Sequence, residues 1–335
     1  MTELTFDEAT ALIERARTFA DLTGSGPGVA VGDGIDAYRK LVKIVHPDVA
    51  PAGRASAATA AFARLSALWE ERDGRVLTTK RGSHRIGPLV AAGDVANLYT
   101  VDGGVALLKL PRLPADNDLM TAETAALERL ARHGESRYRD YAPRLMESFV
   151  HQDGSGVRRK ATILRRLRGF VSLAGVAAAI PDGLDPRDVA WMWRRLLVAL
   201  GWAHRAGVVH GAVLPEHILI HPAAHGLVLV DWCYSVAPGE RINALVAKHR
   251  DHYPPEVTGR APASAATDIF MATGTMRRLS KDLPGPMRRF ADGCVYDAPR
   301  MRPQDAWQLL VEFDELLDNL YGPRRFREFA LPANH

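Results

Sequence analysis

The sequence predicts an α+β chain: a small all-α region, then a β-rich region, then a large helical region. Three observations carry this expectation. Apolar residues recur at helical spacing through the first 72 residues. Two strand-like runs, Leu98–Val101 and Val105–Leu110, flank Asp102-Gly103-Gly104, a favourable hairpin turn. A long amphipathic segment from Pro186 to Gly207 leads into an apolar hairpin that ends at Asp231. The expected divisions are a helical domain at 1–75, a linker at 76–84, a β-rich lobe at 85–168 and a helical lobe at 169–335.

The chain of 335 residues is 47% hydrophobic and 24% charged, as in ordinary globular proteins. No apolar run approaches the roughly 18 residues of a membrane span, so no membrane partner is expected. The opening MTELTFDEATALIERAR carries acids and lacks a signal peptide's basic-then-apolar order. With Cys233 and Cys294 as its two cysteines, the chain is expected to have no disulfide framework and to reside in a reducing cytoplasm. The net charge of +4 is spread along the chain without a basic, aromatic-laced stripe, which argues against a nucleic-acid partner.

In the first region, Thr5 is a candidate N-cap for a helix carrying Phe6, Ala9, Leu12, Ile13 and Ala16 on one face. The glycine-rich stretch 23–34 reads as a loop. A second helix places Tyr38, Leu41, Val42 and Val45 on one face, with Arg39, Lys40 and Lys43 mainly on another. His46-Pro47-Asp48 stops it, because Pro47 disfavours helical geometry in the residue before it. A third helix, roughly 56–72, carries Ala58, Phe62, Leu65, Leu68 and Trp69. This order resembles the J-domain of DnaJ-type co-chaperones, with Tyr38-Arg39-Lys40-Leu41, His46-Pro47-Asp48, Phe62 and Trp69 at the family's motif positions. The resemblance implies docking on a DnaK-type chaperone through Arg39, Lys40, Lys43, His46, Pro47 and Asp48. The long glycine-rich insertion departs from the family.

In the second region, Ala91-x-Gly93-x-x-Ala96 precedes the hairpin, and Val105-Ala106-Leu107-Leu108-Lys109 ends in a lysine. A helix over 121–132 contains Glu123, and 159–169 reads as a strand running into a break at Gly169. In the third region, Asp185-Pro186 starts a helix whose Val189, Met192, Trp193, Leu196, Leu197, Leu200 and His204 form an apolar face. His210-Gly211-Ala212, Leu214, Pro215 and His217 follow, then the hairpin and Asp231-Trp232-Cys233. Tyr253-Pro254-Pro255-Glu256, Asp268 and Arg302-Pro303 come later.

From about 85 to 320 this order resembles the protein kinases. The resemblance implies a two-lobed fold, with Gly93, Lys109, Glu123 and Asp231 as nucleotide contacts and Asp231 as the Mg²⁺ ligand. It makes Glu256, Asp268 and Arg302 structural. Trp232 takes a packing position, while Cys233 replaces a glycine and is expected to restrict the turn. The catalytic loop departs from the family: Ala212, Leu214 and His217 replace its Asp, Lys and Asn. Two look-alikes are set aside. His249-Arg250-Asp251 lies just before Pro254-Pro255-Glu256 and is not the catalytic loop. His217, His221 and His225 repeat every four residues but fall on and between strands, so no metal face forms.

The expected function is a J-domain co-chaperone or adaptor whose kinase-like region, a pseudokinase, binds a client, partner or nucleotide. ATP with Mg²⁺ or Mn²⁺ is its candidate cofactor. Two readings stay open beside it: an atypical kinase or other ATP-dependent transferase using Asp231 and a rearranged partner such as His217, and a nucleotide-free scaffold.

Overall fold

The computed structural model describes residues 4–23, 34–51, 53–72, 75–152 and 156–332. The chain divides into two compact units, one of residues 1–91 with 99–106, the other of 92–98 with 107–335. The expected glycine-rich loop lies largely outside the described residues.

Helices α1 (Phe6–Arg15), α2 (Gly34–Val45) and α3 (Ala55–Arg72) pack together in the first unit. A capping box starts α1: Glu8 N–H donates to Thr5 Oγ1 at 3.4 Å, and Thr5 N–H donates to Glu8 Oε2 at 2.9 Å. Ala9, Ile13, Ala37, Leu41, Val45, Leu65 and Leu68 bury completely and form the core. Tyr38 stacks on Trp69 at 4.2 Å, and Phe19 meets the same indole edge-on at 5.0 Å. His46 leaves the helical region at ψ 133°, so Pro47 does end α2.

Residues 76–84, expected as a linker, instead belong to a hairpin. Strand β1 (Arg75–Thr78) pairs antiparallel with β2 (Ser83–Ala92) in the register Leu77↔His84 and Thr78↔Ser83. Thr79 N–H closes the turn on Gly82 O at 2.8 Å. The apolar run here is only Val76-Leu77, too short to announce a strand.

Strands β3 (Ala96–Val101) and β4 (Ala106–Pro111) form where the sequence predicts them, with Asp102–Gly104 as one 3₁₀ turn between. With β5 (Leu145–Gln152) and β6 (Arg158–Arg165) they complete a sheet ordered β1-β2-β3-β4-β6-β5. Helix α4 (Asn117–His133) begins one turn before its predicted start and buries Met120, Glu123, Leu127 and Leu130.

A second sheet, β7-β8-β9, joins Val171–Ser172, Ile218–His221 and Gly226–Leu229. Gly169 has φ 74°, and a Cβ there would lie 2.7 Å from His221 Nε2, so the break requires glycine. After the short α5 (Leu173–Ala179), α6 (Pro186–Arg205) is capped by Asp185, which accepts from Arg187 N–H at 2.8 Å. Its predicted apolar face is buried, with Trp193 packed against Phe290 and Phe313. The remaining helices are α7 (Pro255–Thr258), α8 (Ala265–Arg278), α9 (Gly285–Cys294) and α10 (Ala306–Tyr321). Among the described residues, no helix is long and apolar enough to cross a membrane.

Candidate functional site

Strand β4 buries Lys109, and α4 presents Glu123 to it: Nζ donates to Oε1 at 2.8 Å. The same ammonium donates to Asp231 Oδ1 and lies 3.0 Å from Cys233 Sγ. Burial alone lowers the Lys109 pKa, but the carboxylates of Asp231 and Glu123 outweigh it and hold the group well above its usual range. For Asp231, burial works upward, yet Lys109 and His217 pull the carboxyl well below its usual value. Burial pushes the Cys233 thiol up, so it stays protonated at neutral pH. Asp231 itself adopts the left-handed conformation, φ 65° and ψ 52°. The expected restriction at Cys233 is thereby corrected: the left-handed position is Asp231, and Cys233 sits in a 3₁₀ turn open to any residue.

The loop between α6 and β8 faces this cluster. His217 N–H donates to Leu214 O at 3.0 Å, and Val230 N–H donates to His217 O at 2.9 Å. The imidazole spans two acceptors, with Nδ1 2.8 Å from Ala212 O and Nε2 3.1 Å from Asp231 Oδ2. Both nitrogens therefore act as donors, which describes the protonated ring. Burial opposes that charge, but Asp231 raises the His217 pKa above its ordinary value. His210 is the opposite case. Its Nδ1 accepts from Ala212 N–H at 3.2 Å, its Nε2 donates to Val230 O at 3.0 Å, and burial lowers its pKa to about 4. His210 is thus a neutral structural ring.

The loop is held from behind by Asp268 on α8, which is fully buried. Its carboxylate accepts from His210 N–H at 2.8 Å, Gly211 N–H at 2.9 Å and His204 Nε2 at 2.9 Å. Gly211 has φ 76°, and a Cβ would meet Tyr234 O at 2.5 Å. Further along, Arg302 grips Glu256 with both terminal nitrogens, at 2.7 and 2.9 Å. Asp268, Glu256 and Arg302 are thus all engaged in buried hydrogen bonds.

No protein-family model matches the chain. Over 72 residues it is 35% identical to casein kinase II subunit alpha' of Saccharomyces cerevisiae, a match covering 21% of this chain and 21% of that protein's length. The fold is α+β and fits a kinase-like architecture. The similarity is partial, so that relative's activity is not carried over with it.

The kinase-like unit brings together Lys109, Glu123, Asp231 and His217, but not Gly93. Gly93 lies in the β2–β3 turn, donating to Ala96 O at 2.9 Å, and among the described residues no hydrogen bond joins it to the cluster. A Cβ there would approach Ala96 O to 2.9 Å, so tight turning is reason enough for the glycine. Ala212 and Leu214 are fully buried and offer neither a proton acceptor nor a positive charge. His221 packs on Phe170 and His225 stacks on Trp191 at 4.1 Å, so the three spaced histidines do not converge.

Two participants escaped the sequence reading. In the sequence Cys233 shows only as a replaced glycine, although its place two residues after Asp231 is the available signal. Glu216 accepts from His249 Nε2 at 2.7 Å and Lys248 Nζ at 3.0 Å. The His249-Arg250-Asp251 triplet set aside as a look-alike thus supplies a contact beside His217.

The donor set does not fit Mg²⁺. Glu123, Asp231 and Cys233 present ligand atoms within 4.8 Å of one another, but one is a soft thiol. Lys109 Nζ lies within bonding distance of all three residues. Mg²⁺ demands oxygen ligands in near-octahedral array.

In the helical unit, Arg39, Lys40, Lys43 and Asp48 are exposed. His46 Nδ1 accepts from Asp48 N–H at 3.2 Å, and its ring meets the edge of Phe62 at 5.1 Å. The turn is therefore braced from within while its carboxylate faces solvent.

Proposed function

We propose that this chain is an adaptor in which a kinase-like unit binds a partner without transferring phosphate and a J-domain-like unit recruits a DnaK-type chaperone. The observation that carries the first half is the burial of Ala212 and Leu214 where the kinase resemblance calls for a base and a lysine. Phosphoryl transfer depends on orienting the nucleophile and neutralising developing charge, and neither side chain does either. Similarity to a protein kinase makes ATP with Mg²⁺ or Mn²⁺ the first small ligand to test. The contact between His217 and Asp231 is the one observation on the side of a rearranged transferase.

The chaperone half is supported by the His46-Pro47-Asp48 turn at the end of α2 and by the exposed Arg39, Lys40 and Lys43 on that helix. Such a basic face speeds encounter with an acidic partner and fixes its orientation. The full chain is expected to raise the ATPase turnover of a DnaK-type chaperone. His46→Gln is expected to remove the stimulation while the helical unit stays folded, with at most a small drop in melting temperature. Equal turnover with wild type, His46→Gln and no added protein would refute the recruitment.

A further inference from the structure

We propose that His217 occupies the place of a divalent cation at Asp231 and closes that carboxylate to Mg²⁺ and Mn²⁺. Each Asp231 oxygen already faces side-chain donors: Oδ1 faces Lys109 Nζ and Cys233 Sγ, and Oδ2 faces His217 Nε2 at 3.1 Å. An ion arriving at either oxygen would meet N–H hydrogens where it needs lone pairs. His217 is also pinned in this pose. Its backbone is bonded at both N–H and C=O, its Nδ1 is bonded to Ala212 O, and its ring lies nearly parallel to Tyr234, 18° apart. Only 8% of it is exposed, so rotation away from Asp231 would break a buried hydrogen bond with no solvent to replace it.

The arrangement gives Asp231 from within the chain the compensation that a bound ion would otherwise supply. Lys109 and His217 come from β4 and the α6–β8 loop, so the contact also ties the loop to the strand. The inference rests on the kinase-like reading of Asp231 and is independent of chaperone docking, which the ATPase assay tests without involving this site.

Mn²⁺ titration of the full chain, followed by electron paramagnetic resonance, tests the proposal. Wild type and Asp231→Asn are expected to give the same titration, with no Asp231-dependent site. His217→Asn exchanges a nitrogen donor for an amide oxygen and is expected to gain an Asp231-dependent Mn²⁺ site, with apparent affinity about tenfold or more above the wild-type background, the lower end of what one contact at a metal site contributes. Adding Asp231→Asn to it should abolish the gain. Wild-type binding lost in Asp231→Asn overturns the proposal, as does a folded His217→Asn that gains nothing. If His217→Asn does not fold, the comparison of wild type with Asp231→Asn decides alone.

Discussion

Arg302→Ala is expected to lower the unfolding free energy of the kinase-like unit by about 3–5 kcal/mol, the usual cost of stranding one member of a buried ion pair. The residue is 3% exposed and its side chain bonds both Glu256 oxygens. It also donates to the carbonyls of Tyr296 at 2.5 Å and Asp297 at 2.8 Å, and lies 4.6 Å from the centre of the Phe270 ring. Removing it leaves Glu256, 8% exposed, with Thr267 Oγ1 as its remaining side-chain donor. Arg302→Lys should also destabilise, because an ammonium cannot reproduce the bidentate fork. Denaturant unfolding reads the effect as a lower midpoint with unchanged slope. The double variant Glu256→Gln/Arg302→Met, which leaves no buried charge unpaired, should lose less than either single truncation.

Asp268→Ala is expected to cost about 3 kcal/mol or more and to release the 210–217 loop. One buried carboxylate accepts from two backbone N–H groups and the His204 ring. A hydrogen bond to a charged acceptor contributes about 1.5–3 kcal/mol, and each donor left buried without a partner adds its desolvation cost. Asp268→Asn keeps the shape but turns an N–H donor toward other donors, so it should destabilise nearly as much. Hydrogen exchange locates the damage: the amides of His210 and Gly211 should lose protection while those within α6 keep most of theirs. Uniform loss across α6 and the loop would show that Asp268 supports the whole unit, not the loop specifically.

Much of the frame was legible because it depends on burial and periodicity. The α6 face from Val189 to Leu200 announces its core by spacing, and motif order marks Glu256, Asp268 and Arg302 as structural without naming their partners. Motif order marks Lys109 and Glu123 individually, and their 2.8 Å contact is a result of β4 and α4 packing together. The rest was hidden for physical reasons. The β1–β2 hairpin has too few apolar residues to show a period. A cysteine's role depends on which charges fold against it, and Cys233 meets Lys109 from a strand 124 positions earlier in the chain. In the sequence His217 is only a replacement for the family's Asn, a property of its side chain alone. Its use as a donor to Asp231 depends on Ala212 O holding the opposite edge of the ring, which spacing does not reveal.

A kinase-like unit that keeps its frame without a catalytic base or positioning lysine should not transfer phosphate. Incorporation of label from γ-labelled ATP, with Mg²⁺ and with Mn²⁺, into the chain itself and into a general protein acceptor measures this. Loss of the base and the positioning lysine together removes roughly 10⁴-fold or more in rate. The expected result is therefore incorporation no greater than that of heat-denatured protein, and the same for wild type and Asp231→Ala. Time-dependent incorporation by wild type that disappears in Asp231→Ala would contradict the account and establish a transferase with a rearranged catalytic loop.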